Sequence, residues 1–496
     1  MEQITNEGKQ SVVEPVRSTL TEFIAAVQQT RGVYHLNSDI TLTSNVTMAS
    51  KTMIIFEGGK IIGNYTLTGN RSTIVSPPRQ IFSGITLAGT WNVNCCYAEW
   101  WGAVGNGSTN DAPALQSALS SPFEKVVLLN KTYAIKSTLV ISDKKTLEGT
   151  RQSNSTSGTP LLFAKPDSST SMSSMINISS DFVTLRNLTV KNTSGYTVEY
   201  GIQTTAQRRR LLLEGVCSAG CSIGYYLYTN LAKIERCTAI GVFTGFYVKG
   251  GSSTTMINCF VKTYHQNAYF LESMTYSSLM NCCADTLSVT SIAEGGPNWY
   301  IYYIKLCNSL SMVNCGGEEA AKGVYIDGGS NISINNCWFD MPLLTTPVGN
   351  GKVLFFLNSS KIDIDGLYIS NWICTGWVSN SSISGWFNEN RLIWSEGSNG
   401  SRNTIRLHNV YYRGYDRDKG TSGYTEVKQN LSSKLIGIYN GGGTITDVVV
   451  EYDWVNLGTN ANRPTGLDSV VGAGFHYYNT TSNKLEIWDG SSWQIV

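Results

Sequence analysis

Charged residues make up only 15% of this 496-residue chain, so acids that stand near aromatic rings draw the eye first. Glu318 and Glu319 follow Gly316-Gly317, with Asp285 upstream and Asp327 downstream. Two carboxyl groups about 5 to 10 Å apart, one of them protonated, are the equipment for hydrolysing a glycosidic bond. Aromatic rings offer flat apolar faces on which sugar rings stack. Trp299, Tyr300 and Tyr303 fall within "LSVTSIAEGGPNWYIYYIK" beside these acids, and Tyr264 and Tyr269 precede them. The expected catalytic group is Glu318 or Glu319 as acid or base, with Asp285 and Asp327 as partners. The expected substrate contacts are Trp299, Tyr300, Tyr303, Tyr264 and Tyr269. Packing of ordinary loops explains the same aromatics, and solvation the same acids, so both readings stay open here.

Other polar residues suggest less chemistry. Asp363 and Asp365 lack a third carboxylate and make a poor calcium site. His265 and His408 stand in no catalytic triad, and Arg208 to Arg210 read as a solvated turn. Neither a metal nor a cofactor is expected. A net charge of +1 gives no reason to expect nucleic acid as a partner. No stretch approaches the roughly 18 to 20 apolar residues of a membrane span, and no basic-then-apolar leader opens the chain.

The elements that must carry these residues show themselves as a repeat. "VTLRNLTV", "LLLEGVCS", "AKIERCTA", "TTMINCFV", "SSLMNCCA", "SMVNCGG", "ISINNCWF" and "IDIDGLYI" are one phrase repeated, with pivots at Asn187, Gly215, Arg236, Asn258, Asn281, Asn314, Asn336 and Gly366. The intervals are 28, 21, 22, 23, 33, 22 and 30 residues, the spacing of a solenoid. Asn and Gly share a readiness for the left-handed backbone conformation, so each pivot reads as a bend between short strands. Cys237, Cys259, Cys282, Cys315 and Cys337 then form an interior column of reduced thiols acting as small hydrophobes. At about 4.8 Å per coil the seven intervals span roughly 34 Å.

The stretch "EWWGAVGNGSTNDAPALQSALSS", residues 99 to 121, is a glycine-rich loop followed by a short helix. Asp111 is placed to accept hydrogen bonds from first-turn amides, Pro113 suits that turn, and Leu115, Ala118 and Leu119 make one apolar stripe. Such a stripe fits the open end of a strand stack. The stretch resembles the opening signature of the pectate-lyase-like superfamily, although Asn106 and Asn110 stand where that signature has aspartates. The resemblance implies a right-handed parallel β-helix, in a superfamily that includes lyases, hydrolases, epimerases and non-catalytic phage adhesins.

Both ends extend this picture. Thr19 and Glu22 suit a capping box, with Leu20, Phe23, Ile24 and Val27 apolar and Gly32 near the helix end. "IIFEGG", "KIIGNYTLTG" and "GITLAGTW" read as further coils. Beyond about residue 380 the period fades and aromatics thicken, and "RPTGLDSVVGAGFHYYNTTSNKLEIWDGSSWQIV" resembles a small C-terminal module of phage tail proteins. The chain as a whole resembles tail spikes of phages that infect gut Bacteroides-like bacteria.

The expected division is 1–32 as a helical virion-attachment segment, 33–98 as N-terminal coils and 99–380 as the main β-helix. Residues 381–462 form a β-rich C-terminal region and 463–496 a tip module. The fold class is all-β, with short capping helices. The resemblance implies a virion protein made in the host cytosol, a homotrimer joined to other tail proteins, whose ligand is a host surface polysaccharide. It leaves open whether the chain cleaves that polysaccharide or only binds it.

Overall fold

The computed structural model describes residues 20–150, 161–165, 171–193, 195–287, 300–318 and 323–340, then shorter segments between 355 and 495. The chain folds as a parallel β-helix. It divides into two compact units, one of residues 1–153 and 157–196, the other of residues 154–156 and 197–496.

The first unit opens with α1 (Leu20–Gln29), whose Phe23 and Val27 are buried. The Tyr34 hydroxyl closes the helix end by donating to the carbonyls of Ala26 and Thr30. Thr19 of the expected capping box lies outside the described residues. Coils of about 20 residues follow, with Val33 beside Met53 and Met53 beside Thr73, and with Ile40, Ile61 and Phe82 likewise in register. Alternating burial along Val33–Leu36 and Met53–Phe56 sends every second side chain inward.

The junction helix α2 spans Ala112–Ser120, with Leu115, Ala118 and Leu119 buried as its apolar stripe requires. Its start differs from expectation. The Asp111 carboxylate accepts from the amides of Val104 and Gly105 (2.7 and 3.1 Å), and Asn110 Oδ1 accepts from the Ala112 amide (3.2 Å). The aspartate therefore pins the glycine loop and leaves the helix end to its neighbour. Gln116 covers the edge of strand Leu139–Ile141 by accepting from the Val140 amide (2.8 Å) and donating to its carbonyl (2.9 Å). Buried Glu99 accepts from the Tyr133 hydroxyl and Lys131 Nζ (2.7 and 3.1 Å). Buried Lys145 donates to the Ser121 and Phe123 carbonyls just past α2 (both 2.6 Å).

In the second unit the pivots behave as their residue types suggest. Gly215, Arg236, Asn258, Asn281, Asn314, Asn336 and Gly366 all have φ between 50 and 69°, as does Asn187, with φ 53°, in the first. The five cysteines of the column are buried and free, each one residue past its bend. Two further left-handed corners were not anticipated. One runs through Gly250, Ser273, Leu306 and Gly328, the other through Leu231, Ser253, Tyr276, Ser309 and Asn331. Their residue types share no local preference, so the sequence carries no mark of them.

Parallel pairing also continues past residue 380. Ile393–Glu396 pairs with Phe355–Asn358, Asn403–Arg417 with Lys361–Thr375, and Val448–Tyr452 with Asn403–Leu407. The period is masked there by lengthened connections, while the apolar alternation within "NTIRLHNV" and "DVVVEY" persists. The tip is a small sheet in which Phe475–Asn479, Lys484–Trp488 and Trp493–Ile495 run antiparallel, with Tyr477 and Trp488 buried.

Two outcomes follow. In the native protein the five column thiols should resist maleimide and all react after denaturation, because every one of them is buried away from the reagent, and burial also pushes the Cys237 and Cys282 thiols above the usual range; rapid native labelling would contradict the column. At Asn314, with φ 51°, substitution by Gly should leave stability nearly unchanged, while Asn314→Val should cost about 1–2 kcal/mol in chemical denaturation.

Candidate functional site

Parallel strands in register turn each residue position into a row running along the stack. One such row carries the acids. Lys262 pairs with Asp285, Ala284 with Gly317, and Glu318 with Asp340, so Asp285 and Glu318 each follow a paired residue by one. Successive members are about 4.8 Å apart along the stack. Asp285 lies at the centre of strand Cys283–Leu287, while Glu318 and Asp340 close strands Gly316–Glu318 and Ser330–Asp340. Glu318 is exposed. Glu319 and Trp299 lie outside the described residues.

Two residues before each acid runs an outward row of Phe260, Cys283, Gly316 and Trp338. Gly316 is what lets the indole in. A Cβ there would stand 2.2 Å from the Trp338 carbonyl oxygen and 2.7 Å from its ring. Half-buried Trp338 therefore lies over the backbone that leads into Glu318. Cys283 completes the patch; burial pushes its thiol up to about 11, with Cys315 and then Glu318 adding to the rise.

The expected aromatic contacts divide differently. Tyr269 is sealed inside, stacked on Phe246 and Tyr302 at 5.4 and 5.0 Å, and donates to the Cys259 and Cys283 carbonyls. Its ring supports the coils and offers no face to a sugar. Tyr264 is sealed as well, but its hydroxyl has no hydrogen-bond partner among the described residues, and Asp285 adds to the rise that burial imposes on it. What Tyr264 offers the acid row is a hydroxyl. Buried Tyr300 tilts against Tyr325 (5.0 Å) and Tyr303 (6.3 Å).

Tyr303 belongs to an outer ladder. Tyr247, Phe270, Tyr303 and Tyr325 stack at 4.3, 4.5 and 4.9 Å, so both faces of Tyr303 are covered by neighbouring rings. Asp327 flanks this ladder, in register with Lys249, Glu272 and Lys305. Lys305 Nζ lies 3.1 Å from Glu272, and the Tyr247 hydroxyl donates to the same carboxylate. Burial works against the Glu272 charge, yet these two donors hold its carboxyl below the ordinary range. Asp327 is thus part of an alternating charge row on another strand, apart from Asp285 and Glu318.

Trp338 and Phe260 are the outward aromatic residues beside the acid row that the sequence reading did not single out. Aligning "NCGGEE" with "NNCWFD" places Gly316 opposite Trp338 and Glu318 opposite Asp340, so the signal was present in the repeat.

Among solved structures, the chain is similar to the DFA-IIIase of Arthrobacter chlorophenolicus A6, with TM-score 0.52, 10% identity, and 75% and 97% of the two chains covered. That likeness is one of fold. Tailspike protein 2 of bacteriophage CBA120 gives TM-score 0.49 at 15% identity over 65% of this chain, which spans about half (48%) of that protein's enzymatically active domain. The gp42 tailspike of Acinetobacter phage vb_AbaP_AS12 gives TM-score 0.46 at 14% identity, covering 79% and 74%. No family model and no curated protein matches the chain.

Gly316→Ala should set a Cβ against the Trp338 carbonyl as well as its indole and cost about 1–3 kcal/mol in denaturant unfolding. The double variant Gly316→Ala/Trp338→Ala should recover only part of that cost, because the clash with the carbonyl remains; no cost in the single variant would contradict the close approach.

Proposed function

We propose that the chain is a phage tail-spike protein that binds a host surface polysaccharide on the face holding Phe260, Trp338 and the acid row, and cleaves it there. The observation that carries this reading is the alignment of Asp285 and Glu318 on adjacent coils beside the half-buried Trp338 indole. A coil step of about 4.8 Å is near the roughly 5–5.5 Å between carboxyl groups of retaining glycosidases. One carboxylic acid would protonate the glycosidic oxygen, and its partner would attack the anomeric carbon or activate water.

The tail-spike assignment rests on the junction "WWGAVGNGSTNDAPALQSAL", the tip module and the β-helix. It places the protein in the virion as a homotrimer joined to other tail proteins. The likeness to the pectate-lyase-like superfamily and to spikes of phages of gut Bacteroides-like bacteria belongs to the same reading. The C-terminal third adds inter-chain contact to the trimer. Glu319 and Trp299, which lie outside the described residues, remain candidates in addition to Glu318.

A second reading, a non-catalytic receptor-binding protein, is favoured by one observation. Glu318 is exposed, whereas a general acid holds its proton near neutrality through burial.

Incubating the protein with host capsule and measuring new reducing ends separates the two. Cleavage should fall about 10²- to 10⁴-fold in Glu318→Gln or Asp285→Asn, with glycan binding retained. Cleavage that persists undiminished in both variants removes the acid row. Binding without cleavage by the unaltered protein establishes the receptor-binding reading.

A further inference from the structure

The acid row is bounded at one end by a cation. Lys262 is in register with Ile240 on the coil before it and with Asp285 on the coil after it, one step of about 4.8 Å away. It is exposed, and among the described members of the acid row and of the Phe260 row beside it, it is the only cation. Other outward lysines of the stack are tied down. Lys125, Lys233 and Lys305 lie 2.9, 2.6 and 3.1 Å from Glu148, Glu235 and Glu272. Lys262 forms no ion pair among the described residues, although an acid stands on the next coil.

The rings bracket the acids. Phe260 lies one coil before Asp285, and Trp338 lies one coil after Glu318. Half-buried Phe260 has no ring stacked upon it among the described residues, in contrast to Tyr303 in the outer ladder.

We propose that Lys262 selects a polysaccharide whose sugar on the Phe260 side of the cleaved bond carries an anionic group, the ring lying on Phe260 and the anion on the ammonium. This inference rests on the reading of Asp285 and Glu318 as the cleaving pair and adds the class of substrate. Register selects the occupant. A hexose is about as long as one coil step, so a glycan lying along the stack sets one sugar on each coil. With the bond held between the coils of Asp285 and Glu318, the coil before them offers a ring and a cation, and the coil after them offers a ring without one. A carboxylate, sulfate or phosphate is repelled beside the two acids and attracted at Lys262, so only one of the flanking positions accepts a charge.

The test uses the full chain and purified host capsule in three forms: intact, reduced at its carboxyl groups, or stripped of phosphate and sulfate esters. Lys262→Met keeps the length of the side chain and removes the charge. On intact capsule it should raise KM and weaken glycan binding about tenfold with kcat unchanged, and Lys262→Arg should keep most of the affinity. On the treated capsule that has lost the anion, the unaltered protein should fall to the level of Lys262→Met, and the variant should lose nothing further. Equal affinity of Lys262→Met and the unaltered protein for intact capsule overturns the proposal and leaves the cleavage reading standing. So does an unaltered protein that treats all three capsules alike, or a Lys262→Met defect of the same size on all three. If the unaltered protein binds capsule without cleaving it, the cleavage reading fails by itself, and the same comparison of affinities decides the role of Lys262. An unaltered protein that binds no capsule overturns both.

Discussion

Every coil must bend where the coil beside it bends, because parallel strands exchange backbone hydrogen bonds only while they stay in register. That constraint governs the rest of the molecule. The bends are left-handed, and at Asn258, Asn281, Asn314 and Asn336 the residue type makes them inexpensive. Arg236 occupies the same corner with φ 52°, and there its guanidinium reaches both Glu214 and Glu235, so side-chain pairing offsets the backbone strain. Leu306 and Tyr276 are held left-handed by the ladder alone, since neither residue favours that conformation.

Register also decides what the aromatic residues do. Inside, Tyr225, Phe246, Tyr269 and Tyr302 lie nearly parallel at 4.5 to 5.4 Å, and the tyrosine hydroxyls donate to carbonyls at the cysteine bends. Outside, the parallel stack from Tyr247 to Tyr325 covers its own ring faces. Both ladders strengthen the stacking of coils and withdraw their rings from ligand contact. An aromatic becomes available to a ligand where the ladder is interrupted. At Gly316 the row lacks a side chain, and Trp338 fills the gap beside Glu318.

In the first unit polar groups replace repetition as the organising device. Asp111 holds two loop amides, Gln116 completes an exposed strand edge, and Lys145 takes up carbonyls past the end of α2. Burial works against Lys145, lowering its affinity for the proton, and raises Asp111. Each is retained because it satisfies backbone groups that a helix end or a tight loop leaves open.

What the sequence by itself determined was the repeat and everything that follows from local preference. Asn or Gly at the bend, a small apolar residue after it and alternation before it yielded the β-helix, the bend positions and the buried thiols from "TTMINCFV" and its companions. The apolar stripe of α2 was equally legible, because helical spacing is a local property. Tertiary structure decided what depends on which coil lies beside which. It turned Asp111 toward Val104 and Gly105, separated Asp327 from Asp285 and Glu318, and sealed Tyr264 and Tyr269 inside. It also carried the ladder past residue 380, where long connections hide the period. The physical reason is that residues 20 to 33 positions apart become neighbours at about 4.8 Å only through register. Register is set by the hydrogen-bonded stack as a whole and by no single segment within it.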